Sequence, residues 1–172
     1  RAAFGDVLGR HESLRTVHPP SPHGPHQVVL PASSVDVDLE PVPVTADDLP
    51  GRLRTLAAPG FDVTVEVGVR TMLLRVGPDH HVLLIVLHHI AADGFSMVPL
   101  ARDVMLAYTA RTRGQAPAST PLPVQYADYT LWQRIRVGDD TDPDSITTRQ
   151  IEFWRRTLAG LPEPLAIPVD RD

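Results

Sequence analysis

At 172 residues the chain is long enough for one domain with a core of its own. Its formal net charge of -5, with 16 cationic residues spread out and no basic run, leaves no nucleic-acid footprint. The absence of cysteine removes disulfides, thiolate metal sites and a cysteine nucleophile together. No apolar run approaches the length that spans a bilayer and no signal peptide is visible, so a cytoplasmic protein with no membrane partner is expected.

In chain order, Phe4, Val7, Leu8 and His11 share one helical face, yet no cap precedes Arg1, which reads as the interior of an element whose start is cut away. Residues 14–17 read as a strand, and residues 18–26, with four prolines and a glycine, as a loop. Residues 27–30 and 35–39 are short strand candidates, the second alternating as a half-exposed strand does. Residues 46–58 read as a helix capped by Thr45. Residues 69–76 form a further strand, and the turn 77–80 folds it antiparallel onto the next.

That next strand is the centre of the chain. Six apolar residues, Val82 to Leu87, predict a strand buried on both faces, and they run directly into His88, His89, Ile90, Ala91, Ala92, Asp93 and Gly94. Alternation along a strand sends His88 and His89 to opposite sides, so one can face a cavity while the other is fixed in the scaffold. Gly94 permits a turn or a close backbone approach. Ser96 offers an N-cap oxygen, Pro99 sits in the first turn, and Met97, Leu100, Val104 and Tyr108 fall at helical spacing in a helix ending near Arg113.

A connector follows over residues 114–123, then a short helix over 124–136 carrying Tyr126, Asp128, Tyr129, Trp132 and Gln133, whose aromatics read as packing. Residues 138–144 are an acidic loop. Its aspartates 140, 142 and 144 alternate like calcium ligands but lack the glycine and terminal glutamate of a helix–loop–helix calcium site, so a solvated loop is expected. Ser145 caps a last helix to Ala159 with Ile151, Trp154 and Leu158 on one face, and residues 161–172 run extended. A metal site on His88, His89 and Asp93 is not expected, because adjacent strand residues diverge and no further ligand stands at a usual spacing.

Four stretches, in order, resemble the motifs of condensation domains of nonribosomal peptide synthetases. They are the run His88 to Gly94; Arg10-His11-Glu12-Ser13-Leu14-Arg15-Thr16; Tyr126-Ala127-Asp128-Tyr129-Thr130-Leu131-Trp132-Gln133; and Phe153-Trp154-Arg155-Arg156 with Leu161-Pro162, Pro168 and Asp170-Arg171. The chain departs from the pattern at Phe95, where tryptophan is usual, and at His18, where an aromatic usually closes the first of these motifs in chain order.

The resemblance implies an α+β fold, a chloramphenicol-acetyltransferase-like α/β sandwich with a mixed, largely antiparallel sheet packed with helices. It implies that residues 1–172 are the N-terminal half of a condensation domain, without its first strand and its C-terminal subdomain. The implied reaction joins a donor acyl or peptidyl thioester to the α-amine of an acceptor aminoacyl thioester. Both are carried on phosphopantetheine arms of separate carrier proteins, with no cofactor bound by the domain itself. The implied partners are the donor and acceptor peptidyl carrier proteins, an adjacent adenylation domain and the C-terminal subdomain.

His89 is then the catalytic residue, as base or as positioning group, and His88, Asp93, Gly94 and Arg15 support it. An imidazole, with an ordinary pKa of ~6.5, can take a proton from an attacking amine at neutral pH. Asp93 could orient His89 as a triad aspartate does, or form a buried pair with an arginine; the family pattern favours the pair, with Arg15 as partner. Without a G-x-S-x-G elbow or a cysteine, direct transfer is expected over an acyl-enzyme. Two alternatives remain open: an epimerisation domain, which shares the histidine doublet, and a non-catalytic half that docks carrier proteins.

Overall fold

The computed structural model describes residues 1–161. By backbone contacts it forms two units, Arg1–Ala127 and Asp128–Asp172.

The first unit is built on helix α1 (Ala2–Arg10), which buries Ala3, Phe4, Val7 and Leu8 on one face. That is the 3.6-residue period of its sequence expressed as packing. A 3-10 turn (Glu12–Arg15) leads into strand β1 (Thr16–Val17), which pairs antiparallel with β2 (Val28–Val29). Helix α2 spans Leu49–Ala57. Strand β3 (Val42–Pro43) runs parallel to β4 (Val69–Arg75), and β4 pairs antiparallel with β5 (His81–Leu87), in the order β3-β4-β5. A short 3-10 turn (Gly94–Ser96) opens helix α3 (Met97–Thr112), which packs on α1. The core joins α1, Leu14, Val37, Val69, Leu100 and Ala107, with Ile85 and Leu87 of β5 packed against it. Helices over one face of a mixed sheet are the expected α+β sandwich.

Several expectations are corrected. Residues 35–39 are not a strand: Val37 is buried between exposed Asp36 and Asp38, so the alternation is real, but among the described residues no strand pairs with this backbone. Helix α2 begins later than expected, because the Thr45 hydroxyl accepts from the Asp48 N–H and fastens a turn ahead of the helix. Strand β5 is not buried on both faces. It lies at the margin of the sheet, with His81 and Leu83 exposed; an apolar run states that a residue can be covered, not that a second neighbour is present. On α3 Leu100, Asp103 and Ala107 are buried and Val104 packs against the core, whereas Met97 and Tyr108 are exposed.

The second unit holds most of helix α4 (Tyr126–Val137) and helix α5 (Ile146–Thr157). Gly138 ends α4 at φ +77°, the left-handed geometry that favours glycine, and a Cβ there would stand 2.8 Å from that of Ser145. Ser145 caps α5 by accepting from the Thr148 N–H at 2.9 Å. The Thr147 and Thr148 hydroxyls donate to the carbonyls of Gly138, Asp140 and Asp142, which closes the acidic loop on itself. Tyr129 and Trp132 stack at 5.7 Å, yet Trp132 stays 59% exposed, unlike the packed aromatics expected. The fourth motif beyond Leu161 lies outside the described residues. Among the described residues no helix is long and apolar enough to cross a membrane.

Candidate functional site

The β4–β5 ladder is extended by one bond past Leu87, where the His88 N–H donates to the Gly68 carbonyl at 2.9 Å. The chain then turns: the Ala91 N–H donates to the His88 carbonyl at 3.0 Å, and the Ile90 N–H donates to Nδ1 of His88 at 3.0 Å. Because that nitrogen accepts, the neutral ring carries its proton on Nε2. The His88 ring meets Phe61 edge-on at 5.9 Å, and Phe61 in turn lies under the Arg70 guanidinium at 4.0 Å. Arg70 is itself held by the carbonyls of Pro59 and Gly60. His88 is therefore half-buried and bonded into the scaffold, while His89, at the crest of the turn, is exposed.

Gly68 is the floor of this turn. A Cβ on it would stand 2.9 Å from Cβ of Ala91 and 3.4 Å from Cβ of His88. The loop rests directly on backbone, with no space for a methyl group. Gly94 has no such neighbour: a Cβ there would meet nothing within 4 Å, and its φ is not positive. The close approach expected at Gly94 is made at Gly68 instead, and the backbone at Gly94 faces open space.

Asp93 closes the loop. Its Oδ1 accepts from the Ser96 N–H at 2.9 Å and the Ser96 hydroxyl at 2.6 Å, and its own N–H donates to that hydroxyl at 3.1 Å. This reciprocal capping box nucleates the turn into α3. The expected Ser96 cap of α3 is thus replaced by an Asp93 cap one turn earlier. Hydrogen bonds from the Ser96 side chain and backbone hold the Asp93 carboxyl below its ordinary range.

The Arg15–Asp93 pair expected from the sequence is not formed. Arg15 donates to the carbonyls of Leu8 at 2.9 Å and Leu30 at 2.5 Å and pairs with Glu12 at 3.3 Å, tying α1 to the residue that follows β2. With those donors satisfied by backbone close to its own turn, Arg15 is a local clasp. Asp93 is exposed, and none of its bonds reaches Arg15 or a histidine.

A buried carboxylate does tie the first motif to a distant segment, but it is Asp103 of α3. At 8% exposure it accepts from Nε of Arg10 at 2.8 Å, bonds Nε2 of His11 at 2.9 Å and pairs with Arg102 at 3.3 Å. Burial pushes this carboxyl up, but the bonds from His11, Arg10 and Arg102 outweigh it and hold it below the ordinary range. Arg10 also donates to the Thr120 carbonyl, and Gln125 bridges the Arg10 carbonyl and the Glu12 N–H. The end of α1, α3 and the connector after it are thereby one assembly. The signal in the sequence was a carboxylate at a core-facing position of α3, three residues after Leu100 and four before Ala107.

His18 donates its N–H to the Val63 carbonyl, and its Nδ1 is buried with no hydrogen-bond partner among the described residues. Burial and the charge of His88 both lower its pKa. Among the described residues no three acidic or histidine side chains converge as a metal site would require.

A family described as "Condensation domain" matches residues 1–172. The chain is 54% identical over 171 residues to CymA, a probable nonribosomal peptide synthetase of Salinispora arenicola (strain CNS-205), and 47% identical over 173 residues to the isonitrile lipopeptide synthase of Mycobacterium tuberculosis (strain ATCC 25618 / H37Rv). These matches take in 99% of this chain but 2% and 7% of those proteins. Among solved structures, the X-domain from teicoplanin biosynthesis superposes with a TM-score of 0.90 at 40% identity, over 99% of this chain and 37% of that one; it has also been solved in complex with OxyB. The epimerization domain of tyrocidine synthetase B superposes at 0.74 with 19% identity, over 100% of this chain and 39% of that one, a likeness of fold alone.

Proposed function

This chain belongs to the condensation-domain family, and we propose that it is the N-terminal half of a domain that forms amide bonds between carrier-bound thioesters, with His89 as the working imidazole. The observation that carries this reading is an exposed histidine on a turn whose backbone is bonded at Gly68, His88, Ile90 and Asp93.

In the reaction the acceptor amine attacks the donor thioester carbonyl. The C–N bond forms, the C–S bond breaks, and the amine proton passes to the imidazole and from there to the departing thiolate. Amide formation from a thioester is downhill, so the domain has mainly to align two reactants and move one proton. Alignment can lower the barrier by several kcal/mol, and a placed general base contributes about 10²–10⁴-fold. His88, fixed through Nδ1, sets the turn, and Asp93 with Ser96 sets where the turn meets α3. The phosphopantetheine arms arrive as part of the substrates on donor and acceptor carrier proteins. Open space over Gly94 suits their approach.

The test is His89→Ala in the full-length protein that carries this chain, with amide formation followed by mass spectrometry. A folded variant slowed by about 10²-fold or more supports the role; a folded variant that forms product at the parent rate refutes it. A second reading, a module that binds a partner protein, is favoured by the likeness to the X-domain solved in complex with OxyB, and unchanged product formation in His89→Ala is what it requires.

A further inference from the structure

Beside the histidine turn lies an open cleft of about 330 Å³, lined by the 3-10 turn after α1, the loop residues Ala91 and Ala92, and the first turn of α3. We propose that this cavity is the subsite seating an uncharged, largely apolar side chain of one of the two substrates joined at His89, an inference that rests on the amide-forming reading above.

Three features carry it. The first is place: Ala91 and Ala92 line the cavity and belong to the same turn as His89, two and three residues after it in the chain. The second is size. Ligand pockets run from about 300 to 1,000 Å³, and a cavity at the low end suits a side chain, not a whole carrier-tethered chain.

The third feature is chemistry. The wall includes buried Leu14 and Leu100, and among the described residues no carboxylate or guanidinium lines it. Its polar points are hydroxyls, Ser13 among them, and the ring of His11, which is anchored through Nε2 on the buried Asp103. A charged side chain entering this wall would lose its hydration without a partner of opposite sign, which is costly. A neutral one, apolar or carrying a single hydroxyl or amide, would not.

The experiment uses the full-length protein with Ala92→Phe and Ser13→Phe, which fill the cavity from two walls. Carrier-bound glycyl and leucyl or phenylalanyl substrates are compared on the donor and acceptor sides in turn. One methylene more or less in an apolar pocket changes selectivity by about 10–200-fold. The expected result is therefore at least a tenfold fall in kcat/KM for the bulky substrates on one side, with the glycyl rate within about threefold of the parent. Equal loss for all substrates, or no loss, overturns the proposal. If the phenylalanine variants do not fold, Ala92→Val and Ser13→Leu are read by the same criterion. His89→Ala run in parallel separates the two readings: amide formation surviving there removes the proposed reaction, whereas an unselective cavity variant beside an inactive His89→Ala removes only the subsite.

Discussion

Gly68→Ala isolates the support beneath the histidine turn. The added methyl would stand 2.9 Å from Cβ of Ala91, against an ordinary carbon–carbon contact of about 3.5–4.0 Å. Ala91 must therefore retreat by about 0.6–1.1 Å, and His88, at 3.4 Å, is pressed as well. Overpacking of this kind costs about 1–3 kcal/mol. Since His89 and Ile90 are exposed, the loop can yield outward, which places the cost toward the lower end of that range. The same yielding carries the imidazole with it, and a displacement near 1 Å at a reacting group costs up to about 10²-fold in rate. The variant should lose little stability and much activity. The assay pairs a denaturant midpoint with single-turnover amide formation in the full-length protein. Gly5→Ala is the control: a Cβ at this α1 position meets nothing within 4 Å, and alanine is favoured inside a helix by about 0.5–1 kcal/mol. Gly68→Ala working as fast as Gly5→Ala would show that the turn does not rest on Gly68 and would refute the reasoning.

Three further outcomes are expected. Asp103→Asn leaves Arg10 and His11 around a neutral acceptor and should destabilise by an amount near the lower end of ~3–5 kcal/mol, read from urea unfolding; its carboxyl is depressed in the folded protein, so the wild-type contribution is present above the ordinary carboxylate range and is lost as pH falls through the depressed value. A variant with an unchanged midpoint and an unchanged acid limb of stability would contradict that assignment. His18→Phe removes a buried nitrogen without a partner among the described residues and should stabilise by ~1 kcal/mol or more. Burial and His88 favour the neutral His18 ring in the fold, so the unfolded chain binds more protons and wild-type stability declines as pH falls below the ordinary histidine value; the phenylalanine variant should flatten that decline in thermal melts across pH 5–8, and an identical slope would count against it. Ser96→Ala deletes the hydroxyl that donates to Asp93, so the Asp93 carboxyl should titrate nearer its ordinary value in a carbon-detected NMR titration; an unmoved titration would mean that Ser96 is not what holds it down.

The local sequence determined what depends on nearest neighbours. The period of α1, the β4–β5 hairpin around residues 77–80, the glycine that stops α4, the Ser145 cap and the histidine turn at the end of β5 all follow from patterns a few residues long. Tertiary structure decided every question of partner. A carboxylate at 93 and a guanidinium at 15 are complementary in charge, but charge does not state distance: Ser96, three residues from Asp93, and the carbonyls of Leu8 and Leu30 beside Arg15 occupied both groups first. The carboxylate that does join distant segments, Asp103, sits 92 residues from His11, a pairing set by how α1 crosses α3. Gly68 and Gly94 are alike as letters, and only the packing of Ala91 and His88 distinguishes the one that must lack a side chain from the one that faces open space.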